Sequence, residues 1–163
     1  MLQRVQTIFM TLAAISMILV LFFPIWEKSD LKPGSDQGEY AIMNSFELRL
    51  ELRTTDNEVV KVLSTYSTFP ISIGAILSAL IMLFSITRFK NRMLQIKLNA
   101  LFSLIISATL VGIFFYVRRF DPQFTGSPLI GLILVVVAMF NNMISNRFIR
   151  KDEKLVKSMD RLR

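Results

Sequence analysis

The side chains that most often carry out chemistry in proteins are absent from this sequence or are interleaved with opposite charges. There is no Cys and no His, which removes thiol and imidazole nucleophiles, disulfides and the usual ligands of zinc, haem and iron–sulfur clusters. The carboxylate pair Glu47 and Glu51 alternates with Arg49 and Arg53, which is more typical of a solvated strand than of an acid–base pair. We therefore predict that the protein is not an enzyme and holds no metal or cofactor.

A second group of polar residues lies inside or beside long apolar stretches. Asn141, Asn142, Ser145 and Asn146 cluster near the end of the last stretch, and Asn99 lies near the start of the third. These side chains either hydrogen-bond between helices, which is the interpretation we favour, or line a shallow polar pocket. The stretches themselves contain no ionisable residue, which argues against a proton relay, an ion-coupled carrier or a voltage sensor.

Two basic residues stand at the outer end of the third apolar stretch. Arg118 and Arg119 lie beside Asp121 in a short predicted outer loop. They either pair with the acidic residues of the longer outer loop, which would hold the two loops together, or bind lipid headgroups. We favour the pairing between the loops.

Four uncharged stretches must position these groups. The chain has 163 residues, of which 53% are hydrophobic, with a mean hydropathy of +0.52, too apolar for an ordinary soluble domain. A hydrocarbon core about 30 Å thick needs about 20 helical residues, and each stretch meets that length. We expect one membrane domain over 1–163, in which the first helix is an uncleaved anchor. The predicted transmembrane helices lie near 5–25, 69–87, 98–117 and 128–148.

Charge outside these stretches predicts the orientation. The formal net charge is +7, and most Lys and Arg residues lie before the first helix, between the second and third, and after the fourth. Because the cytoplasmic loops of membrane proteins carry the excess of basic residues, we expect both termini of the chain in the cytoplasm. The membrane then accounts for the basic charge, and we expect no nucleic acid as a partner.

The long outer loop, residues 27–66, contains a strand pattern. Phe46, Leu48, Leu50 and Leu52 alternate with charged residues, as on a strand with one apolar face. A helix would instead bring like charges together at a spacing of four residues. The apolar face therefore predicts a β-strand that needs a cover.

A second strand is predicted to return along the first. Residues 54–57 are typical of a turn, and 59–63 are rich in β-branched side chains. The hairpin is covered by the helix ends, by a third strand near 40–43, or by a partner protein. The predicted fold is thus an all-α membrane protein, a four-transmembrane-helix bundle with a small β-hairpin in the long outer loop between helices 1 and 2.

Two further surfaces are candidates for contact with other molecules. Gly74 and Ser78 are four residues apart on the second helix, a spacing that lets helices approach closely, either within the bundle or between subunits. The tail, residues 149–163, is predicted to be a basic amphipathic helix that lies on anionic lipid or docks on a cytoplasmic partner. Its candidate contact residues are Lys154, Leu155, Met159 and Arg161.

Three segments of the chain are similar to a known family. The opening MLQRVQT (1–7), the FFP at 22–24 and, above all, the ending IRKDEKLVKSMDRLR (149–163) resemble the uncharacterised bacterial family named domain of unknown function 4293. The resemblance covers the whole chain and implies a small four-helix inner-membrane protein, with no established activity and no catalytic residues. The predicted topology also resembles the claudin arrangement, although the paired loop cysteines and the double-tryptophan signature of claudins are absent.

These observations favour a non-catalytic role. We predict an accessory or structural subunit of a multiprotein inner-membrane complex for secretion, translocation or envelope assembly, with the lipid bilayer and other membrane proteins as partners. The first alternative is a transport protein for a small or lipidic solute, which a polar cavity around Asn99, Asn141 and Asn142 would favour. The second alternative is an envelope enzyme, which would need acidic residues clustered in an outer cleft.

Overall fold

The computed structural model of the chain describes residues 2–30, 37–54, 58–89, 91–123 and 125–160, and the side chains of 5–30, 38–54, 58–89, 91–123 and 125–155. Within these ranges the chain forms four helices and five strands. In chain order they are α1 Leu2–Leu19, β1 Trp26–Asp30, β2 Gln37–Met43, β3 Glu47–Thr54, β4 Val59–Ser67, α2 Phe69–Thr87, α3 Arg92–Phe120, β5 Ser127–Pro128 and α4 Ile130–Asp160.

The five strands form one antiparallel sheet at one end of the helices. The strand order is β4-β3-β2-β1-β5, so four strands come from the long loop after α1. The fifth comes from the short loop between α3 and α4. Trp26 pairs with Met43 of β2 on one side and with Pro128 of β5 on the other, which joins the two loops into a single structure.

The prediction of an all-α protein with a small hairpin is therefore wrong. The hairpin exists as β3 and β4, and the third strand considered near 40–43 exists as β2, but β1 and β5 extend the sheet further. β1 has the sequence WEKSD and β5 has only two residues. Neither strand carries an alternating pattern in its sequence. Both are stabilised by pairing with neighbouring strands and by the burial of Trp26, and not by an intrinsic strand propensity.

Three helices are long and apolar enough to cross a membrane. They are α2, α3 and the part of α4 from Ile130 to Leu155. The described side chains of α1 cover Val5–Leu19, an apolar segment shorter than these spans. The chain is thus a membrane protein, as predicted, while a fourth span through α1 stays a prediction.

The helix boundaries follow local signals. α2 begins and ends where the sequence predicts, with Pro70 in its first turn, a position that tolerates proline. α1 ends at Leu19, earlier than predicted, and the chain turns through residues 20–22 before β1. Pro24 lacks the amide hydrogen that a continued helix would need, so the helix cannot extend to residue 25 as predicted. α3 begins earlier than predicted, where the Asn91 side chain caps it by accepting a hydrogen bond from the amide of Leu94 at 3.1 Å.

The four helices pack in a closed cycle, in which α1 contacts α2 and α4, and α3 contacts α2 and α4. Small residues such as Ala13 and Ala75 are buried between them. Many large apolar side chains instead point outward, among them Leu104, which is 67% exposed, and Phe115, which is 65% exposed. Because water would make such a surface costly and lipid would not, the outer faces of the helices are suited to a bilayer.

α4 continues without a break into the tail. Arg92 at the start of α3 forms an ion pair with Asp152, with Nη2 and Oδ2 3.0 Å apart, which fixes this extension beside α3. Lys154 and Leu155 are exposed. Of the other residues predicted for the tail surface, Met159 lies on the described helix without a described side chain, and Arg161 lies outside the described residues.

Candidate functional site

The strand β4 forms one edge of the sheet and is exposed along almost its whole length. Val59, Val60, Val62 and Leu63 are 51%, 53%, 49% and 44% exposed, and Lys61 is the only charged residue of the strand. We call residues 59–63 the apolar edge segment. It is the clearest outward-facing apolar surface of the sheet among the described residues.

The apolar edge segment is irregular, because its pairing with β3 slips twice. The register shifts after Leu50 and again after Leu52, which leaves Leu63 and Val60 of β4 unpaired with β3. Such bulges bend an edge strand and hinder the addition of another strand by backbone hydrogen bonds. A partner would therefore contact this segment mainly through its apolar side chains.

The residues predicted to form a partner-contact face on the first hairpin strand mostly face the protein interior. Leu48 is fully buried, Leu50 is partly buried against the core, and Leu52 is half-buried. Phe46 is exposed and stacks edge-to-face on Phe69 with ring centroids 6.1 Å apart. The exposed apolar surface thus lies on the neighbouring strand β4, which the sequence indicated only as the returning strand.

The opposite set of β3 side chains forms a charged network across three strands. Arg53 donates a hydrogen bond to Glu51 at 2.8 Å, and its guanidinium lies 3.8 Å from the centre of the Tyr40 ring. The Tyr40 hydroxyl in turn donates to Glu27. Burial and the bond to Glu27 raise the pKa of Tyr40 to about 12. These groups bind one another, and no three of the described acidic side chains converge on a position for a metal ion.

A buried carboxylate holds the two loops at the sheet end together. Asp121 is fully buried and accepts hydrogen bonds from the Gly126 amide at 2.7 Å and the Thr125 hydroxyl at 3.1 Å. Lys28 of β1 lies 3.4 Å from the same carboxylate. Burial opposes the charged form, but these partners outweigh it and lower the pKa of Asp121 below 3.8. Lys28 also pairs with Asp30 at 3.1 Å.

The structure leaves Arg118 and Arg119 exposed at the end of α3. Neither forms an ion pair or hydrogen bond with any residue that the structure describes. The predicted pairing with the acids of the long loop is therefore not found among these residues. Lys28 and Asp121 make the link between the loops instead, a pair that no periodic pattern in the sequence indicates.

An apolar groove runs between α3 and α4 beneath the sheet. Its volume is about 430 Å³, and it is closed at the top by Trp26, Gly126 and Pro128. A Cβ atom on Gly126 would collide with the Trp26 ring, so the absence of a side chain lets the indole lie flat over the groove. The remaining lining residues are Leu110, Ile113, Phe114, Val117, Leu132 and Val136.

A second groove, about 310 Å³ in volume, lies between α2 and α3. Gly74 lies on it and packs against Thr109 of α3, whose hydroxyl would collide with a Cβ atom at that position. Ser78, one turn further along α2, is fully buried. The small-residue face therefore serves contact between α2 and α3 inside this chain, which is one of its two predicted roles.

A polar cluster lies inside the half of the helices away from the sheet. The Asn142 amide of α4 donates to the backbone carbonyl of Asn99 at 3.1 Å and to the Ser103 hydroxyl at 2.7 Å. Ser85 of α2 donates to the Asn99 side chain at 2.9 Å. Asn141 instead bonds its own helix at the Val137 carbonyl. The structure thus brings Asn99 and Asn142 together and excludes Asn141.

Several buried polar atoms of this interior have no hydrogen-bond partner among the residues that the structure describes. The unpartnered groups include amide oxygens contributed by α1, α3 and α4, an arrangement unusual for a buried region. The atoms are Gln6 Oε1, Ser78 Oγ, Gln95 Oε1, Asn99 Nδ2, Asn142 Oδ1 and Asn146 Oδ1.

The fold and these surfaces define a class of small membrane protein in which membrane-crossing helices carry a five-stranded antiparallel sheet at one end. A family model described as "Domain of unknown function (DUF4293)" matches residues 2–162. The chain therefore belongs to this family, as the resemblance of its ends predicted. No curated protein matches the chain.

Proposed function

We propose that the protein is a non-catalytic subunit of a multiprotein assembly in the bacterial inner membrane, and that it docks a partner protein on the apolar edge segment of β4. The single observation that carries this proposal is the exposure of Val59, Val60, Val62 and Leu63 on one short strand segment. Monomeric proteins rarely leave apolar side chains clustered in this way in contact with water.

Lipid is a poor cover for this segment. β4 is an open edge whose outward backbone groups have no partner strand in the described sheet. Open sheet edges do not occur in the hydrocarbon region, because unsatisfied backbone groups cost several kcal/mol there. The side chains of the apolar edge segment therefore face either water or protein, and a protein surface buries them favourably.

Both termini are placed in the cytoplasm by the positive-inside rule, which puts the sheet and its apolar edge on the outer side of the inner membrane. The partner would then be a membrane protein with an outer domain, or a protein of that compartment. Charged residues are depleted at the cores of such interfaces, which agrees with the single charge, Lys61, in the segment.

The proposal is tested by purifying the tagged protein from its native host in mild detergent and identifying by mass spectrometry what is bound. We expect a stoichiometric membrane partner with the wild-type chain. The partner should be lost from the double variant Val60→Asp, Val62→Asp. The matched control is Ser127→Asp, because Ser127 is also exposed and lies on β5 at the opposite edge of the sheet. Equal recovery of the partner with both variants would contradict the proposal.

A second candidate function, transport of a small polar solute, is favoured by the unpartnered polar atoms around Asn99 and Asn142. An aqueous path there would make the interior reachable by hydrophilic reagents. Since the chain has no Cys, the variant Ser145→Cys can be probed with a charged methanethiosulfonate. Fast labelling would support a path, if Ala138→Cys, a fully buried position on the same helix, stays unreactive. Equal protection of both cysteines would oppose transport.

A further inference from the structure

The groove between α3 and α4 is accessible from the side of the helices. Phe114 and Val136 on its rim are 49% and 37% exposed, while Trp26 above them is only 3% exposed. Since α3 is long and apolar enough to cross a membrane, a rim on its outer face would contact the acyl chains of the leaflet nearest the sheet. An apolar depression in such a position is filled by lipid rather than by water.

A basic residue follows the groove-lining part of α3 at the end nearest the sheet. Arg118 lies four residues after Phe114 on α3, so the two side chains share a face of the helix one turn apart. Arg119 lies four residues after Phe115, which is not among the groove-lining residues. The nearby carboxylate of Asp121 is occupied by Lys28, Thr125 and Gly126. The positive charge of Arg118 is therefore not neutralised by that acid.

We propose that the groove between α3 and α4 is a binding site for an anionic phospholipid, with one acyl chain in the groove beneath Trp26 and the phosphate on Arg118. The volume of about 430 Å³ falls in the range of ligand pockets, roughly 300–1,000 Å³. A guanidinium binds phosphate oxygens through paired hydrogen bonds. The apolar lining selects a lipid over a free anion, because an inorganic phosphate would contact only the exposed arginine.

The site explains two features of the sequence together. Basic residues on the outer side oppose the general bias of membrane proteins, and a lipid phosphate gives Arg118 a counter-charge there. The single Trp of the chain lies over the acyl chain at the depth of the headgroups, where amphipathic aromatic side chains are favoured. This inference does not depend on the partner proposed for β4.

Fluorescence of Trp26 reports occupancy directly. The full-length protein is reconstituted in phosphatidylcholine vesicles that contain a minor fraction of one brominated lipid. That lipid is either brominated phosphatidylglycerol or brominated phosphatidylcholine, and the bromine atoms on its acyl chains quench tryptophan on contact. We expect the brominated phosphatidylglycerol to quench Trp26 more strongly at equal bromine content. Excess unbrominated phosphatidylglycerol should reverse the difference, and inorganic phosphate should not.

Matched variants locate the two halves of the site. Val136→Phe fills the groove and should abolish the extra quenching, whereas Val137→Phe, on the next and non-lining residue, should keep it. Arg118→Gln should weaken the apparent affinity for the anionic lipid about fivefold, from the loss of one basic contact near the membrane surface. Arg119→Gln should change it less. A melting temperature for each variant confirms that it is folded.

Four results would overturn the proposal. The first is equal quenching by the two brominated lipids in the wild type. The second is extra quenching that survives in folded Val136→Phe protein. The third is a loss of selectivity in Arg119→Gln with none in Arg118→Gln. Relief of quenching by inorganic phosphate would instead show that the anion binds without the lipid chain, and would also contradict the assignment.

Discussion

The Lys28 ammonium lies 3.4 Å from the Asp121 carboxylate and joins β1 to the loop that follows α3. These residues come from different loops. Asp121, the buried partner, also accepts hydrogen bonds from Thr125 and Gly126 in its own loop. The interaction holds β5 beside β1, and β5 and Trp26 together close the top of the apolar groove. One ion pair therefore supports both the sheet and the groove.

The variant Asp121→Asn should destabilise the protein by about 2 kcal/mol at neutral pH, because hydrogen bonds to a charged group are the stronger kind. The folded-state pKa of Asp121 is lowered, so its stabilising contribution is present above the unfolded value of 3.8 and is lost as the pH falls through the folded value. Thermal unfolding in detergent at pH 7 and below pH 3.8 measures both effects. The difference from the wild type should shrink at acid pH.

The control for this variant is Asp30→Asn. Asp30 also pairs with Lys28, but its side chain is 58% exposed, so its loss should cost less than about 1 kcal/mol. Similar costs for the two variants would show that the buried hydrogen bonds of Asp121 contribute little.

Substitution of two glycines of the second groove should affect the stability of the protein differently. Gly74→Ala forces a Cβ atom onto the Thr109 hydroxyl and should destabilise the contact between α2 and α3 by about 1–3 kcal/mol. Gly112→Ala meets no atom within 4 Å and should be neutral or stabilising by up to about 1 kcal/mol through helix propensity. Melting temperatures in the same detergent compare them.

A second substitution tests whether the loss of stability in Gly74→Ala comes from the collision with Thr109. Thr109→Ala removes the hydroxyl that meets the new methyl group, so the double variant Gly74→Ala, Thr109→Ala should recover much of the lost stability. An equal loss in the single and double variants would show that Gly74 is needed for a reason other than contact with Thr109.

Neighbouring asparagines on α4 should differ in importance. Asn142→Leu removes hydrogen bonds to Asn99 and Ser103 and should cost about 1 kcal/mol, since interhelical hydrogen bonds in membranes contribute roughly 0.6–2 kcal/mol. Asn141→Leu breaks only a bond to its own helix and should cost less. The comparison uses unfolding in mild detergent, and an equal response would contradict the placement of Asn142 at the centre of the cluster.

The positions of the helices were largely predictable, because uncharged length is a strong and local signal. α2 matches its predicted bounds, 69–87. The errors at α1 and α3 arise where Pro24 and the capping residue Asn91 override hydropathy. The strand alternation at Leu48 and Leu50 likewise predicted β3 correctly, because a half-buried strand leaves a period of two in its sequence.

The sheet was underestimated for a physical reason. β1 and β5 depend on partners far away in the chain, such as Pro128 beside Trp26, and a two-residue strand has no period to detect. The Lys28–Asp121 pair could not be predicted either, because its two residues are also far apart in the chain. Arg118 and Arg119 were predicted to pair only because basic residues are unexpected at the outer end of a membrane helix. The spacing of Gly74 and Ser78 predicts that they lie at a helix contact. Only the structure, in which α2 packs on α3 at Gly74, shows that this contact is within the chain and not with another subunit.

Site-specific crosslinking in the native membrane tests most directly whether the apolar edge segment docks a partner protein. The chain has no Cys, so the variants Leu63→Cys and Ser127→Cys each carry one thiol, which a benzophenone maleimide can label on opposite edges of the sheet. We expect a discrete crosslinked product from position 63, containing one defined protein that also co-purifies with the wild type, and no such product from position 127. Absence of a product at 63, or the same product from both positions, would contradict the proposed docking.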